Sequence, residues 1–288
     1  MKGLNKLSQA VTITRENQGD TNLSTTFVPK LNGLLKTEMM GKVIHYHEET
    51  DSTNSVLYKL AGNGASEGTV VVADMQTEGK GRLGRTWISL PGVNLYISIL
   101  LRPSIPAWET PLLTFTASIA IVETMKKTGI REPLIKWPND VVIENRKAAG
   151  VLTEMKPDGE RAEFVIVGIG VNINMTAETM KRDMREVSKT ATSLREHLGR
   201  EVDRAKLTAD LLLELEARYR TFTERGKAPI LNAWTERWGD RGKRVRVNLE
   251  DKTAFQGIAE GVDNDGHMLV RKEDGELVTV VAGDVSTL

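Results

Sequence analysis

The chain of 288 residues contains no cysteine, which excludes disulfide bonds, thiolate-bound metals and a cysteine nucleophile. Its four histidines include no His-x-x-x-His spacing, so the sequence does not indicate a zinc enzyme. The apolar runs at 95–101 and 117–122 are far shorter than the roughly 20 residues that cross a bilayer. The first twenty-odd residues lack the apolar core of a signal peptide. We therefore expect a cytoplasmic protein with no fixed metal site and no membrane partner.

An excess of charge of either sign is also missing, because 39 Lys and Arg residues balance 39 Asp and Glu residues. This balance argues against a protein whose main activity is electrostatic capture of nucleic acid or an anionic membrane. It leaves room for a local basic site. The length allows one large domain or two of unequal size, each with a buried core.

Hydrophobic periodicity and turn residues predict a mixture of hairpins and helices without regular βαβ alternation, which indicates an α+β fold class. Helices are predicted at 31–40 (closed by Gly41), 111–127, 204–225 and 229–238. Asp51-Ser52-Thr53-Asn54 predicts a further helix start. Strands are predicted at 42–48, 69–73, 94–102, 135–142, 148–155 and 164–173. Four short strands follow at 243–249, 253–262, 267–272 and 277–281, separated by acidic turns.

These elements suggest three regions. Residues 1–40 form a lead-in without a complete DNA-binding domain, and residues 1–30 of it are expected to be poorly ordered. Residues 41–240 form a mixed sheet and helix domain. Residues 241–288 form a small SH3-like β-barrel.

The most informative segment is the glycine-rich basic loop, residues 79–87, with the sequence Gly-Lys-Gly-Arg-Leu-Gly-Arg-Thr-Trp. It contains Gly-x-Gly-x-x-Gly, but the dinucleotide fingerprint needs a helix that begins on the glycines and an acidic residue about 20 positions later. Neither is present, so the Rossmann interpretation fails. A loop with three cations on a flexible backbone can instead bind a phosphate ligand, or it can be an exposed hairpin tip. Trp87 then either covers a nucleotide base or anchors the loop to the core.

Two further segments carry unusual residues in apolar strands. Lys136, in Lys-Trp-Pro-Asn-Asp at 136–140, is desolvated there unless an anion meets its ammonium group, or it is an edge-strand lysine that reaches water. The glycines of Gly-Ile-Gly-Val-Asn at 168–172 lose packing within a strand, which indicates close approach of a ligand or another backbone, or a bulge.

In this order, the segments resemble those of the biotin protein ligases over about residues 41–288. Asp-Ser-Thr-Asn at 51–54, Ala-Asp-Met-Gln at 73–76, Arg-Lys-Ala-Ala-Gly at 146–150 and Ala-Gly-Asp-Val-Ser at 282–286 add to the match. The resemblance implies a catalytic domain of the biotin/lipoate ligase type, followed by the SH3-like domain. It also implies that biotin and ATP, with Mg²⁺, form biotinyl-5′-adenylate, and that biotin then passes to a lysine of a biotin carboxyl carrier protein.

The resemblance implies site residues by position. Catalytic roles fall to Lys136 and Arg82. The implied biotin site comprises Ser52, Thr53, Asn54, Gln76, Gly79, Lys80, Gly81, Arg82, Lys136, Gly168 and Gly170. The implied adenylate site comprises Lys80, Arg82, Arg85, Trp87, Lys136, Lys147 and Asn172. Ser52 can also be a plain helix cap.

One departure from the family pattern is Lys80, where the loop usually has arginine; lysine keeps the charge but cannot make bidentate contacts. Another is the short N-terminal region, from which we expect no sequence-specific DNA binding. A bifunctional ligase and biotin-operon repressor, and a lipoate-type ligase, are the alternatives. Family members often form homodimers through the sheet of the catalytic domain, and this chain is a candidate for the same.

Overall fold

The computed structural model describes residues 24–249 and 253–288. Within these ranges, helices α1–α7 span Ser24–Leu34, Thr53–Gly62, Leu112–Thr128, Ala177–Met184, Leu194–Leu198, Arg204–Arg225 and Ala228–Thr235. Strands β1–β7 span Ile44–Thr50, Val70–Gln76, Leu95–Leu101, Leu134–Lys136, Asp140–Ile143, Arg146–Asp158 and Arg161–Val171. Strands β8–β12 span Arg244–Asn248, Ala254–Val262, Met268–Arg271, Leu277–Val280 and Asp284–Thr287.

Strands β1–β7 form one mixed sheet in the order β1-β2-β3-β7-β6-β5-β4. The β1–β2 pair is parallel, and the other pairs are antiparallel. Alternate side chains of the sheet face opposite ways, so one face packs on α3 and α6 while Val71, Leu100 and Ile166 face α2. The α+β fold class is confirmed.

Helix α3 is the centre of the main core, because it is buried on nearly every side between the sheet and helices α6 and α7. Its Phe115 ring stacks on Trp234 of α7, with ring centroids 4.2 Å apart. Gly129 ends α3 in the left-handed conformation that its position in the sequence predicts. None of the helices in the described ranges is long and apolar enough to cross a membrane.

The C-terminal strands form a separate antiparallel sheet in the order β11-β10-β9-β8-β12. The four strands predicted from the sequence lie there with bounds that differ by at most one residue. The fifth strand, β12, was missed, because the turn-flanked pattern of the other strands is absent from the chain end. It pairs with β8 and brings Asp284 back toward the larger domain.

The N-terminal helix differs from the prediction. Helix α1 ends at Leu34, with Pro29 inside it, whereas a helix was predicted at 31–40. The predicted disorder is therefore wrong for residues 24–30, and residues 1–23 lie outside the described ranges. Three backbone N–H groups that a helix would use, those of Glu38, Met39 and Met40, donate to the Glu216 carboxylate at 2.7–2.8 Å. This long-range contact holds the segment in a turn.

The strand predicted at 135–142 is in fact a hairpin. Strands β4 and β5 pair across a tight turn at Trp137, Pro138 and Asn139, in which the Trp137–Pro138 peptide is cis. Strands β5 and β6 are joined by a turn at Glu144-Asn145, which has positive φ at both residues. The extra turn makes β4 the edge strand of the sheet and places Lys136 on that edge.

We predict that Glu216→Gln lowers the free energy of unfolding by about 1–3 kcal/mol, because an amide has one acceptor oxygen where the buried carboxylate serves three N–H donors. Urea denaturation measures this change. The matched control is Glu224→Gln, at an exposed position on the same helix, with an expected change within about 0.5 kcal/mol. Equal stability of the two variants would contradict the assigned role.

Candidate active site

A cavity of about 810 Å³ lies on the α2 face of the large sheet, between the start of α2, the basic loop and the β4–β5 turn. It collects the predicted site residues from segments far apart in the chain. All of them except Gly79 line it: Ser52, Thr53, Asn54, Gln76, Lys80, Gly81, Arg82, Arg85, Trp87, Lys136, Lys147, Gly168, Gly170 and Asn172.

One end of the cavity is built from hydroxyl and amide groups. The Thr53 backbone N–H and hydroxyl both donate to Gln76 Oε1, at 2.9 and 3.1 Å, and Gln76 Nε2 donates to Ser89 Oγ at 3.0 Å. Ser52 occupies the N-cap position of α2, as predicted, but its side chain makes no capping hydrogen bond. Its hydroxyl therefore lines the cavity without serving the helix.

The two glycines of β7 leave space for different side chains. A Cβ added at Gly168 would lie 2.2 Å from Asn54 Oδ1, so this glycine makes room for the Asn54 side chain. A Cβ added at Gly170 would lie 2.5 Å from the Trp87 ring. Gly150 of β6 is the cross-strand partner of Gly170, and a Cβ there would lie 3.0 Å from the same ring. Trp87 thus lies against a flat, glycine-lined part of the sheet.

The basic loop is a closed hairpin-like turn. The two ends of the loop are joined by a hydrogen bond from the Trp87 N–H to the Gly79 carbonyl at 2.8 Å. A second hydrogen bond, from the Gly81 N–H to the Arg85 carbonyl at 2.7 Å, closes the tip. A single 3₁₀ turn at Arg82–Gly84 replaces the α-helix that a Rossmann fingerprint requires. Gly79 lies outside the cavity lining because its place is at the base of the loop, where a Cβ would collide with the Trp87 carbonyl.

The lining of the cavity also includes five cations, Lys80, Arg82, Arg85, Lys136 and Lys147. Arg82 Nη1 donates to Asn139 Oδ1 at 3.4 Å, which links the loop to the β4–β5 turn. Arg85 is ion-paired with Asp284 of the C-terminal domain, and Lys147 with Asp140 at 2.7 Å.

Lys136 differs from these cations, since its half-buried ammonium has no hydrogen bond or ion pair within the residues that the structure describes. Lys80 is exposed and lies near Asp51. Burial opposes ionisation of Asp51, but hydrogen bonds from the Ser52 N–H and the Thr50 hydroxyl, with the charges of Lys59 and Lys80, lower its pKa below its usual value. Asp51 is therefore a fixed negative charge beside the loop.

The Trp87 side of the cavity also contains two unsatisfied polar atoms. Asn172 is 2% exposed, and its Oδ1 has no hydrogen-bond partner among the described residues, while its Nδ2 donates to the Lys147 carbonyl at 3.4 Å. Trp87 Nε1 is likewise buried and unpartnered within those ranges. The Lys147 ammonium lies 5.2 Å from the Trp87 ring centroid. This side can therefore hold a planar group that donates a hydrogen bond.

Several lining or supporting residues were not predicted. Ser98 and Glu154 contact Asn54 from below, and Met184, Val187, Thr190 and Ala191 form a wall near Trp87. Ser98 had a signal that could have been used, a polar residue in the apolar run at 95–101. The wall residues had none, because their approach depends on how α4 packs.

Residues 24–249 and 253–288 contain no cluster of three or more His, Asp or Glu side chains that could hold a metal ion.

Known proteins share these segments. Residues 46–172 match the model of the biotin/lipoate A/B protein ligase family, and residues 242–288 match the biotin protein ligase C-terminal domain. The bifunctional ligase/repressor BirA of Bacillus subtilis (strain 168) is 39% identical over 241 residues, which cover 84% of this chain and 73% of that protein. The biotin–[acetyl-CoA-carboxylase] ligase of Mycobacterium tuberculosis is 33% identical over 243 residues, covering 82% and 86%.

A solved structure shows the same architecture. The biotin protein ligase of Aquifex aeolicus in complex with biotin and ATP superposes with a TM-score of 0.72 at 28% identity, covering 85% of this chain and 99% of that one. The matches span both the large sheet and the C-terminal strands. The chain therefore belongs to the biotin/lipoate A/B protein ligase family.

Proposed function

We propose that this chain is an ATP-dependent biotin protein ligase, which forms biotinyl-5′-adenylate and transfers biotin to a lysine of a carboxyl carrier protein. The observation that carries the proposal is one cavity whose lining combines a group of hydroxyl and amide side chains, a set of cations, and a tryptophan that lies against glycines of the sheet. These three parts suit a cyclic urea, a phosphate chain and an adenine ring.

In the first step, an oxygen of the biotin carboxylate attacks the α-phosphorus of ATP, the bond to the β-phosphate oxygen breaks, and pyrophosphate leaves. Two anions have to approach each other, so the site must supply positive charge where the negative charge accumulates. Lys136 supplies it, because its ammonium is not neutralised by a neighbouring carboxylate of the described residues. Arg82 supports it from the loop, while Lys80 and Arg85 hold phosphate oxygens.

In the second step, the neutral amine of the carrier lysine attacks the biotinyl carbonyl carbon, the bond to the AMP oxygen breaks, and the nitrogen loses a proton. The adenylate must be shielded from water until then. The basic loop can do this, since Arg82 bridges from the loop to Asn139 over the cavity. The carrier class follows from relatives named as biotin–[acetyl-CoA-carboxylase] ligases.

The nucleotide lies on the Trp87 side in this proposal. The adenine amino group donates to the unpartnered Asn172 Oδ1, and the ring lies along Trp87, with Lys147 at the edge. Mg²⁺ neutralises phosphate charge when it arrives with ATP. We also propose a cytoplasmic location. Absence of operator-DNA binding, and formation of a homodimer, stay predictions for gel-shift and light-scattering experiments.

Incubation with ATP, Mg²⁺, labelled biotin and a biotin carrier domain tests the proposal. We expect label on the carrier lysine and release of AMP and pyrophosphate. Labelling by lipoate with none by biotin would assign the chain to the lipoate branch of the family instead.

We predict that Lys136→Ala reduces the rate of adenylate formation by at least about 100-fold, because in this proposal it removes the cation that offsets the charge of the reacting anions. Biotin-dependent pyrophosphate exchange measures the rate. The control is Lys181→Ala, at an exposed position on α4. Near-normal exchange by the Lys136 variant, with an unchanged fold by circular dichroism, would refute its role.

We predict that Arg82→Gly still forms the adenylate but releases it, because the link between the loop and Asn139 is lost. Lysines of bystander proteins then become biotinylated, which mass spectrometry of a mixture of carrier and serum albumin detects. Arg131→Gly, at an exposed position after α3, is the control. A variant that labels the carrier alone, at the normal rate, is the contrary result.

The family resemblance assigns Gly170 to the biotin site, but in the structure this glycine lies against Trp87. We predict that Gly170→Ala raises the KM for ATP by about tenfold or more with a smaller effect on the KM for biotin, because the new methyl group displaces the Trp87 ring. Steady-state kinetics with each substrate varied in turn separates the two effects. Gly261→Ala, in a strand position where a Cβ meets nothing within 4 Å, is the matched control. An unchanged KM for ATP would argue against a nucleotide on this side.

A further inference from the structure

Asn54 is held by groups that the family motifs do not include. Ser98 Oγ of β3 lies 2.6 Å from Asn54 Oδ1, and Asn54 Nδ2 lies 2.6 Å from Glu154 Oε2 and 3.3 Å from the Leu152 carbonyl oxygen. Ser98 is fully buried and Asn54 is 4% exposed. Ser98 and Leu152 are the two cross-strand partners of Gly168, so the network surrounds that glycine.

The donors and acceptors of this network permit one orientation of the amide. A glutamate carboxylate and a carbonyl oxygen only accept hydrogen bonds, so the group that faces them must be Nδ2. The opposite orientation would place Oδ1 against two oxygens, with no hydrogen between them. Ser98 then donates its single hydroxyl hydrogen to Oδ1, because Oδ1 has no hydrogen to give, and Ser98 Oγ also lies 2.8 Å from Thr53 Oγ1.

This arrangement leaves the Asn54 amide with one unused hydrogen-bonding position, an acceptor position on Oδ1. Both hydrogens of Nδ2 are used by Glu154 and Leu152, and Ser98 uses one of the two acceptor positions of Oδ1. The remaining acceptor position belongs to a side chain that lines the cavity. A ligand group that meets Asn54 must therefore donate a hydrogen bond.

We propose that Ser98 and Glu154 are positioning residues that fix Oδ1 of Asn54 as an acceptor, so that the site selects a ligand head that carries an N–H donor. The proposal rests on the proposed function, within which the ligand is a cyclic urea with two N–H groups. A dithiolane ring has no such donor, and it leaves the buried acceptor unpaired. Ser98 and Glu154 thereby favour biotin over lipoate without touching either.

The test uses Ser98→Ala and Glu154→Gln in the full chain, assayed by pyrophosphate exchange. Glu154→Gln keeps the size of the side chain but adds a donor, so the Asn54 amide is free to turn over. We expect the KM for biotin to rise about tenfold or more, the factor that corresponds to loss of one hydrogen bond. The KM for ATP and kcat should stay within about twofold. Desthiobiotin keeps the urea, so its KM should rise by the same factor. The ratio of activity with biotin to activity with lipoate should fall.

A swap of donor and acceptor distinguishes positioning from general structural support. Asn54→Asp alone places two carboxylates together and should raise the KM for biotin strongly. Asn54→Asp combined with Glu154→Gln restores a donor facing an acceptor, and it should recover most of that loss. Glu160→Gln, at the exposed turn between β6 and β7, is the control for a lost carboxylate on the same strand pair.

The proposal is overturned if Ser98→Ala and Glu154→Gln leave the KM for biotin within twofold of the parent value. It is also overturned if both KM values and kcat change together, or if the double variant is no better than Asn54→Asp. Failure of the proposed function has a different result, since the unmodified chain would then form no adenylate from biotin. Thermal unfolding of each variant confirms that a folded protein is compared.

Discussion

The site depends on a strip of the large sheet from which side chains are missing. Gly168 and Gly170 in β7, with Gly150 beside them in β6, leave the backbone bare on the face toward α2. Asn54 fits against one end of the strip and Trp87 against the other, at distances that a Cβ would not permit. The strip therefore sets the separation of the polar end of the cavity from its aromatic side. It costs packing within the sheet, which strands normally gain from β-branched residues.

Charge is organised around this strip in a way that the composition hides. The chain as a whole is neutral, yet the lining of the cavity contains five cations. Most are tied to an acidic or amide partner, as Lys147 is to Asp140 and Arg82 to Asn139, which keeps them in place. Lys136, at the edge of the sheet, has no such tie within the described residues. Its field therefore acts on whatever anion enters the cavity.

The sequence predicted the features that depend on local chemistry. Helix α6 has the predicted bounds. The sequence motifs also identified most of the residues that line the cavity, because each motif folds as a short unit at the cavity wall. Features that depend on distant partners were not predictable in this way. The turn at 38–40 is held by Glu216, and the Asn54 amide is oriented by Glu154, a hundred residues away. No sequence pattern near these residues predicts such long-range contacts. The helix bounds near Gly41 and the role of Ser98 were therefore not predicted.

The boundary near residue 241 separates two sheets, but it does not separate the site from its surroundings. Trp137 of the β4–β5 turn donates its indole N–H to the Gly266 carbonyl at 3.0 Å, and Arg85 of the basic loop pairs with Asp284. Asp284 and Val285 are themselves part of the cavity wall. The C-terminal domain thus forms part of the wall of the candidate active site. Replacing this domain would therefore also replace part of the cavity wall.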